Sequence, residues 1–294
     1  MIRRPPRSTL DRSSAASDVY KRQANQVVSD DKIERLCSLA KFADMKVGID
    51  NIDNLNNLSK FAIKHNVILG VLVEINTSMF RCGVRSSDLA VELAKRAIEL
   101  EGINFKGVMS HQSIKGYTTE EERWKIGEEY IDICLESKRA IEEAGMDVEI
   151  VSTGETFTFD IVLKYPEITE VQGGTYALMD LNYPYMPFDI AVKVLTTIVD
   201  VDDDKITIDA GNKCIAAPNN ATPLIEGVKS DLVEMGLDYS VHKILDDKKY
   251  NIGDKVYLLT THEDGLMNRW DKFVGIRDEI VEGSWDILGR GCHH

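Results

Sequence analysis

Two hydrophobic rhythms alternate along most of the chain, and their alternation predicts its architecture. Ile33, Leu36, Leu39 and Ala40 fall at three-and-four spacing, which predicts a helix over 30–43. The apolar run Met45-Lys46-Val47-Gly48-Ile49 follows and ends on Asp50-Asn51. Leu55, Leu58, Phe61 and Ala62 form the next helical stripe, which leads into 67–75, a run apolar enough for a strand buried on both faces. Ser86, Ser87 and Asp88 can cap a helix over 89–100 that Gly102 stops. A strand over 105–111 comes next, and Thr119 with Glu122 spells a capping box for a long amphipathic helix reaching Ala144-Gly145. Strands over 148–152 and 168–172 flank a short helix over 159–164. Strand and helix taking turns implies parallel βαβ units.

After Pro187 the rhythm changes to short strands between polar turns, over 191–201, 205–208, 255–259 and 273–276, which predicts a second, mostly β domain. The five parallel strands, around Val47, Val71, Val108, Ile150 and Val171, all end on polar or glycine residues. Functional groups gathered at the C-terminal ends of every strand are the habit of a TIM barrel. The expected fold is therefore α/β: a partial (β/α)8 barrel, about five of its eight strands present, followed by a mostly β C-terminal domain.

Composition narrows the class. With 294 residues, 43% of them hydrophobic, the chain can build one large core or two domains, and no apolar run is long enough to cross a bilayer. Five scattered cysteines, never in a CxxC pair, argue against a disulfide framework or a cysteine zinc site and point to a reducing, cytoplasmic setting. A net charge of −14 without a basic stripe argues against a nucleic-acid surface. Residues 1–23 alone are basic, with a Pro-Pro pair and serine-rich spacing that has no periodicity. They resemble translated adapter DNA joined to a truncated reading frame and are set aside as a non-native tail. The expected division is tail 1–23, barrel 24–190 and β-rich domain 191–294.

Chemistry enters at the strand ends. Ser152-Thr153-Gly154 and Gly174-Thr175-Tyr176 leave consecutive strands through small, hydroxyl-rich turns whose backbone N–H groups can cradle a phosphate. Read singly, each is simply a turn. Arg81 follows a buried strand where a ligand would sit, its planar fork suited to a ring nitrogen or a carboxylate, or else to a salt bridge with Glu74. His111 ends the next strand, placed to pack on a flat ring or to serve as a core histidine. Lys213 follows a strand of the β domain and reads as a solvated turn lysine. Near the C-terminus, His262 and Asp264 follow the strand Lys255–Leu259; in an extended chain they share a face while Glu263 points away. Imidazole and carboxylate together suit a borderline divalent ion such as Mn, Fe, Co or Zn, with positions left open for water or substrate. Alone, the pair equally describes a polar hairpin turn.

Several of these stretches carry a resemblance when taken together and in order. They are Val73-Glu74-Ile75-Asn76-Thr77-Ser78-Met79-Phe80-Arg81-Cys82-Gly83-Val84, Val151-Ser152-Thr153-Gly154-Glu155-Thr156, Gly174-Thr175-Tyr176-Ala177-Leu178-Met179-Asp180, Ile208-Asp209-Ala210-Gly211 and His262-x-Asp264. Over essentially all of 24–291 the chain resembles the D-threonine aldolase and D-serine dehydratase-like family. The resemblance implies a pyridoxal 5'-phosphate enzyme of the alanine-racemase type, a homodimer that acts on a small D-amino acid with the help of a divalent metal (Mn, Zn, Co or Mg-like). It places Arg81 near the cofactor ring and His111 packed on it. Ser152, Thr153, Gly154, Gly174 and Thr175 then cradle the phosphate with Tyr176 beside them, and His262 and Asp264 hold the metal.

Aspartate at 264, where the dehydratases carry cysteine, leans towards the aldolases, although Ser110-His111-Gln112 stands where those carry Gly-Tyr-Glu-Gly-His. The family's cofactor-binding lysine, in a first-strand stretch like Arg-Pro-His-x-Lys-Thr, has no counterpart, and 24–28 looks like the exit of the third strand. The expectation is an N-terminally truncated lyase whose intact parent cleaves a D-β-hydroxy amino acid to glycine and an aldehyde. Three alternatives stand beside it: a D-serine or D-threo-hydroxyaspartate dehydratase-like ammonia-lyase, an inactive fragment without its lysine, and a non-catalytic cofactor carrier.

Overall fold

The computed structural model describes residues 21–23, 25–112, 119–183, 186–217 and 221–291, and the expectations for residues 1–20 lie outside them. The chain forms two compact units, one up to Gly173 and one from Gly174. The first holds a parallel sheet in sequence order: β1 (Lys21–Gln23), β2 (Met45–Ile49), β3 (Leu69–Glu74), β4 (Ile103–Met109) and β5 (Ile150–Ser152). Between them run α1 (Asp30–Leu39), α2 (Ile52–His65), α3 (Ser87–Glu99) and α4 (Glu120–Glu143), with the short α5 (Phe159–Val162) after β5.

The helices begin where side chains satisfy their first amides. Asn51, Ser86 and Thr119 accept from the N–H groups of Asn54, Leu89 and Glu122 at 3.0, 3.3 and 3.2 Å. All six residues of β3 are buried, as a central parallel strand requires. Leu55 and Leu58 of α2, Ala94 of α3 and Ile131 of α4 meet Val71 and Val73 in one core, each leucine contributing about 2 kcal/mol. Gly107 lets β4 approach β5: at φ +145° a Cβ there would stand 2.0 Å from the Ile150 carbonyl oxygen.

Five parallel strands were expected and five are present among the described residues, but the membership differs. The stretch around Val171 contributes only a bridge between Ser152 and Glu170, because the Gln172 side chain takes the next positions, donating to the Ser110 and Ser152 carbonyls at 3.0 Å each. Lys21–Gln23, inside the segment set aside as a tail, pairs instead with Met45–Val47. Pairing along the edge of β2 demands an extended chain rather than particular side chains.

The second unit is antiparallel. Its six-stranded sheet runs β8 (Leu224–Ile225), β11 (Lys255–Leu259), β6 (Val194–Asp202), β7 (Lys205–Ile208), β10 (Ser240–Ile244), β9 (Ser230–Met235). A hairpin of β12 (Lys272–Arg277) and β13 (Ile280–Asp286) follows the short helix α6 (Glu263–Met267). The unit begins at Gly174 rather than after 190 because the intervening chain is bonded into it: Leu181 N–H donates to Thr260 O at 3.0 Å and Ala191 N–H to Leu178 O at 2.8 Å. Among the described residues no helix is long and apolar enough to cross a membrane.

Candidate active site

In the first unit the loop after β3 closes on itself. Asn76 N–H donates to Val84 O at 2.9 Å, Val84 N–H to Glu74 O at 2.8 Å, and Gly83 N–H to Asp50 Oδ2 at 2.8 Å. Only glycine serves at 83, where φ is +98° and a Cβ would stand 2.6 Å from Asn76 N. Arg81 stands exposed on this loop, while Glu74 is buried and accepts from the Gln26 side chain. His111 is half-buried past β4, with its carbonyl accepting from Thr77 Oγ1 at 3.4 Å.

The hydroxyl-rich residues past β4 and β5 face one another. Ser110 Oγ lies 2.6 Å from Thr153 Oγ1, Gln112 Nε2 donates to Thr153 Oγ1 at 3.1 Å, and Thr158 Oγ1 donates to Gln112 Oε1 at 3.1 Å. Ser152 Oγ donates to Glu170 Oε1 at 2.6 Å and accepts from Gln172 Nε2 at 3.1 Å. Ser110, Gln112, Ser152, Thr153 and Thr158 are fully buried, and burial also raises the pKa of Glu170. The Ser152 and Thr153 hydroxyls are engaged by protein, and Gly154 is held at φ +80° against Val162. Arg123, buried and held charged by Asp160, anchors the far end of the same turn through Phe157 O and through Asp160 at 2.6 and 2.9 Å.

In the second unit Gly174 is exposed, with no atom within 4 Å of where a side chain would stand. It leads into the 3-10 turn Thr175–Ala177, where Tyr176 lies tilted against Phe188 with ring centroids 5.8 Å apart. Lys213 is exposed and ion-paired with Asp238 at 2.9 Å. His262 and Asp264 do not sit on a strand face, which corrects the expected geometry. β11 ends at Leu259, and His262 becomes the N-cap of α6, its Nδ1 accepting Gly265 N–H at 2.9 Å. His262 and Asp264 are exposed, whereas Glu263 between them is 6% exposed and turned inward. Burial raises the Glu263 pKa, and the Asp180 carboxyl beside it raises it further. No sequence signal marked Glu263, Asp180 or Gln112, because buried acids and amides are recognised by their partners.

The chain matches the family described as alanine racemase, N-terminal domain, over residues 24–181, and a serine dehydratase domain family over 191–276. A D-threonine aldolase of Arthrobacter sp is 30% identical over 284 residues, 91% of this chain and 73% of that protein. The chain belongs to the D-threonine aldolase and D-serine dehydratase-like family of alanine-racemase-type enzymes. A 3-hydroxy-D-aspartate aldolase of Paracoccus denitrificans (strain Pd 1222) is 30% identical over 91% of this chain and 72% of its own length. The crystal structure of D-threonine aldolase from Filomicrobium marinum superposes with a TM-score of 0.86 at 26% identity, over 93% of this chain and 78% of that one. The architecture is thus the family's partial α/β barrel with a β-rich C-terminal domain, and aldolases and dehydratases alike are lyases.

The residues present fit the two groups expected from the sequence in different degrees. For pyridoxal phosphate, exposed Arg81, half-buried His111 and the open Gly174 turn are of the right chemistry, but among the described residues no lysine ends β2, β3, β4 or β5. Lys46 lies within β2, buried and paired with Asp44 at 2.6 Å. For a divalent ion, His262 and Asp264 supply two donors, and no cluster of three His, Cys, Asp or Glu exists among the described residues. Neutral imidazole has one lone pair, and here Nδ1 gives it to the Gly265 amide; ion binding at Nε2 requires that bond to be released.

Proposed function

We propose that the chain is a pyridoxal-phosphate- and divalent-metal-dependent lyase of the D-threonine aldolase type, which cleaves a D-β-hydroxy amino acid to glycine and an aldehyde. The observation that carries this reading is His262-x-Asp264 at the head of α6, both side chains exposed, in a chain 30% identical to a D-threonine aldolase. When bound, the cofactor's ring supplies an electron sink for charge left at Cα, and the ion polarises the substrate hydroxyl.

The chain's own residues bind and orient. In the second unit the main-chain N–H groups of the Gly174-Thr175 turn would take a phosphate, with Tyr176 beside them; in the first unit the Gly154 turn has the same chemistry, held in shape from behind by Ser152 and Thr153. Arg81 offers its fork to the ring nitrogen or the substrate carboxylate, and His111 packs on the ring. His262 and Asp264 would hold the ion. The specific test is dependence. Acetaldehyde release from D-threonine should require both added pyridoxal phosphate and Mn2+, and should stop with a chelator. Release that persists in excess chelator would remove the metal from the reading, and pyridoxal-phosphate binding that ignores metal in a protein without turnover would favour the carrier alternative.

A further inference from the structure

We propose that a cleft beside the first turns of α2 binds an elongated zwitterion with peptide groups between its two charges, a short peptide of about three residues. The cleft lies within the first unit and is independent of the cofactor chemistry above.

Its volume is about 790 Å³, and it is lined by Val28 and by polar residues between Asp50 and Lys60. Among these Asn54 stands out: it is 8% exposed, and neither its side-chain nitrogen nor its oxygen has a hydrogen-bond partner. A buried carboxamide without partners costs stability, and an apolar side chain would fill the same place without that cost. Because Asn54 lines the cleft, a molecule seated there can supply the missing donor and acceptor side by side, as a single peptide group does.

The neighbouring carboxamides continue the pattern. Asn56 accepts through its oxygen from Arg96 Nε and Nη2 at 3.0 and 2.8 Å, which leaves its Nδ2 to donate. Asn57 gives Nδ2 to Asp30 Oδ1 at 2.9 Å and keeps its oxygen to accept. Asn54, Asn56 and Asn57 thus offer a donor with an acceptor twice over, the complement of two peptide groups. Charge stands at either end. Asp50 already accepts from Gly83 N–H, so Asp53 is the carboxylate open to an ammonium group. Lys60 stands opposite for a carboxylate, and among the described residues neither Asp53 nor Lys60 is in an ion pair. Their places on α2 put them about 10 Å apart along its axis. The two charges of a free α-amino acid are too close together to span that gap, whereas three extended residues reach about 10 Å.

The test is calorimetric titration of the full chain, without cofactor or metal, by triglycine, by glycine and by triglycine capped at both ends. Triglycine should saturate one site, with glycine and the capped peptide roughly tenfold weaker. Asp53→Asn and Lys60→Met should each weaken triglycine about threefold, and the loss should shrink in high salt. Asn54→Leu should weaken it by roughly tenfold or more and yet raise the denaturant midpoint, since it removes an unpaired buried amide without breaking a bond. Where the bulk of leucine prevents folding, Asn54→Ala reads the same loss of binding. No saturable heat with triglycine, glycine bound as tightly as triglycine, or wild-type affinity in the Asn54 variants overturns the proposal. Both Asn54 variants less stable than wild type would show that the amide serves the fold through a buried water, and overturns it equally.

Discussion

Two stretches rich in small polar residues look alike in sequence and differ in kind. At the ends of β4 and β5, Ser110, Gln112, Ser152 and Thr153 are fully buried and hydrogen-bond to one another, with Arg123 closing the turn behind them. At the head of α6, His262 and Asp264 are exposed, with only a capping bond at His262 Nδ1. A polar group whose partners are all protein is scaffold, because exposing it to a ligand would cost the bonds it already has. A polar group held outward by a buried neighbour is available. Side-chain identity at a strand end therefore says less about ligand binding than whether the protein itself has already used the group.

That difference can be broken experimentally, and the largest effect belongs to the scaffold. Arg123→Met leaves Asp160 and the Phe157 carbonyl without their partner and should lower stability by about 3 kcal/mol or more, read from the denaturant midpoint. Thr153→Val should cost about 1–2 kcal/mol, since it strands Ser110 and Gln112, while shifting ion affinity not at all. His262→Ala should do the opposite: it loses a helix cap worth about 1 kcal/mol, yet abolishes Mn2+ binding in calorimetry. Should Thr153→Val impair Mn2+ binding as much as His262→Ala does, the distinction between scaffold and donor would fail.

A smaller effect sharpens the account of the second unit. His242 is buried in β10, with Nε2 3.0 Å from Ser240 Oγ, and burial lowers its pKa from 6.5 to about 4. The folded protein keeps it neutral where the unfolded chain protonates it, so the unfolded state binds more protons between those values and stability falls as pH drops from 6.5 towards 4. The melting temperature should decline between pH 6.5 and 5, and His242→Phe should flatten that slope. Smallest of all, borohydride reduction with pyridoxal phosphate should label no single lysine of this chain; a stoichiometric adduct on one of them would make that lysine the cofactor's anchor.

Much of the first unit was legible because its strands are buried on both faces and its helices start at ordinary caps, as at Ser86 and Thr119. Strands β9 and β13 were not, since none of their residues is buried and no apolar alternation marks them. Lys21–Gln23 was missed because edge pairing is a property of backbone rather than of residue type. The candidate residues themselves were named from sequence, yet their states were hidden. Nothing in Ser152-Thr153 reveals that Glu170, Gln172 and Gln112 absorb both hydroxyls, and nothing in His262-Glu263-Asp264 reveals that a helix begins there.

The central claim, aldol cleavage chosen by His262 and Asp264, is tested most directly by product analysis on D-threonine with L-threonine alongside, in the presence of pyridoxal phosphate and Mn2+. The account predicts acetaldehyde and glycine in equal amounts from D-threonine alone, however slowly; 2-oxobutyrate and ammonia in their place would contradict it and assign the chain to the dehydratases.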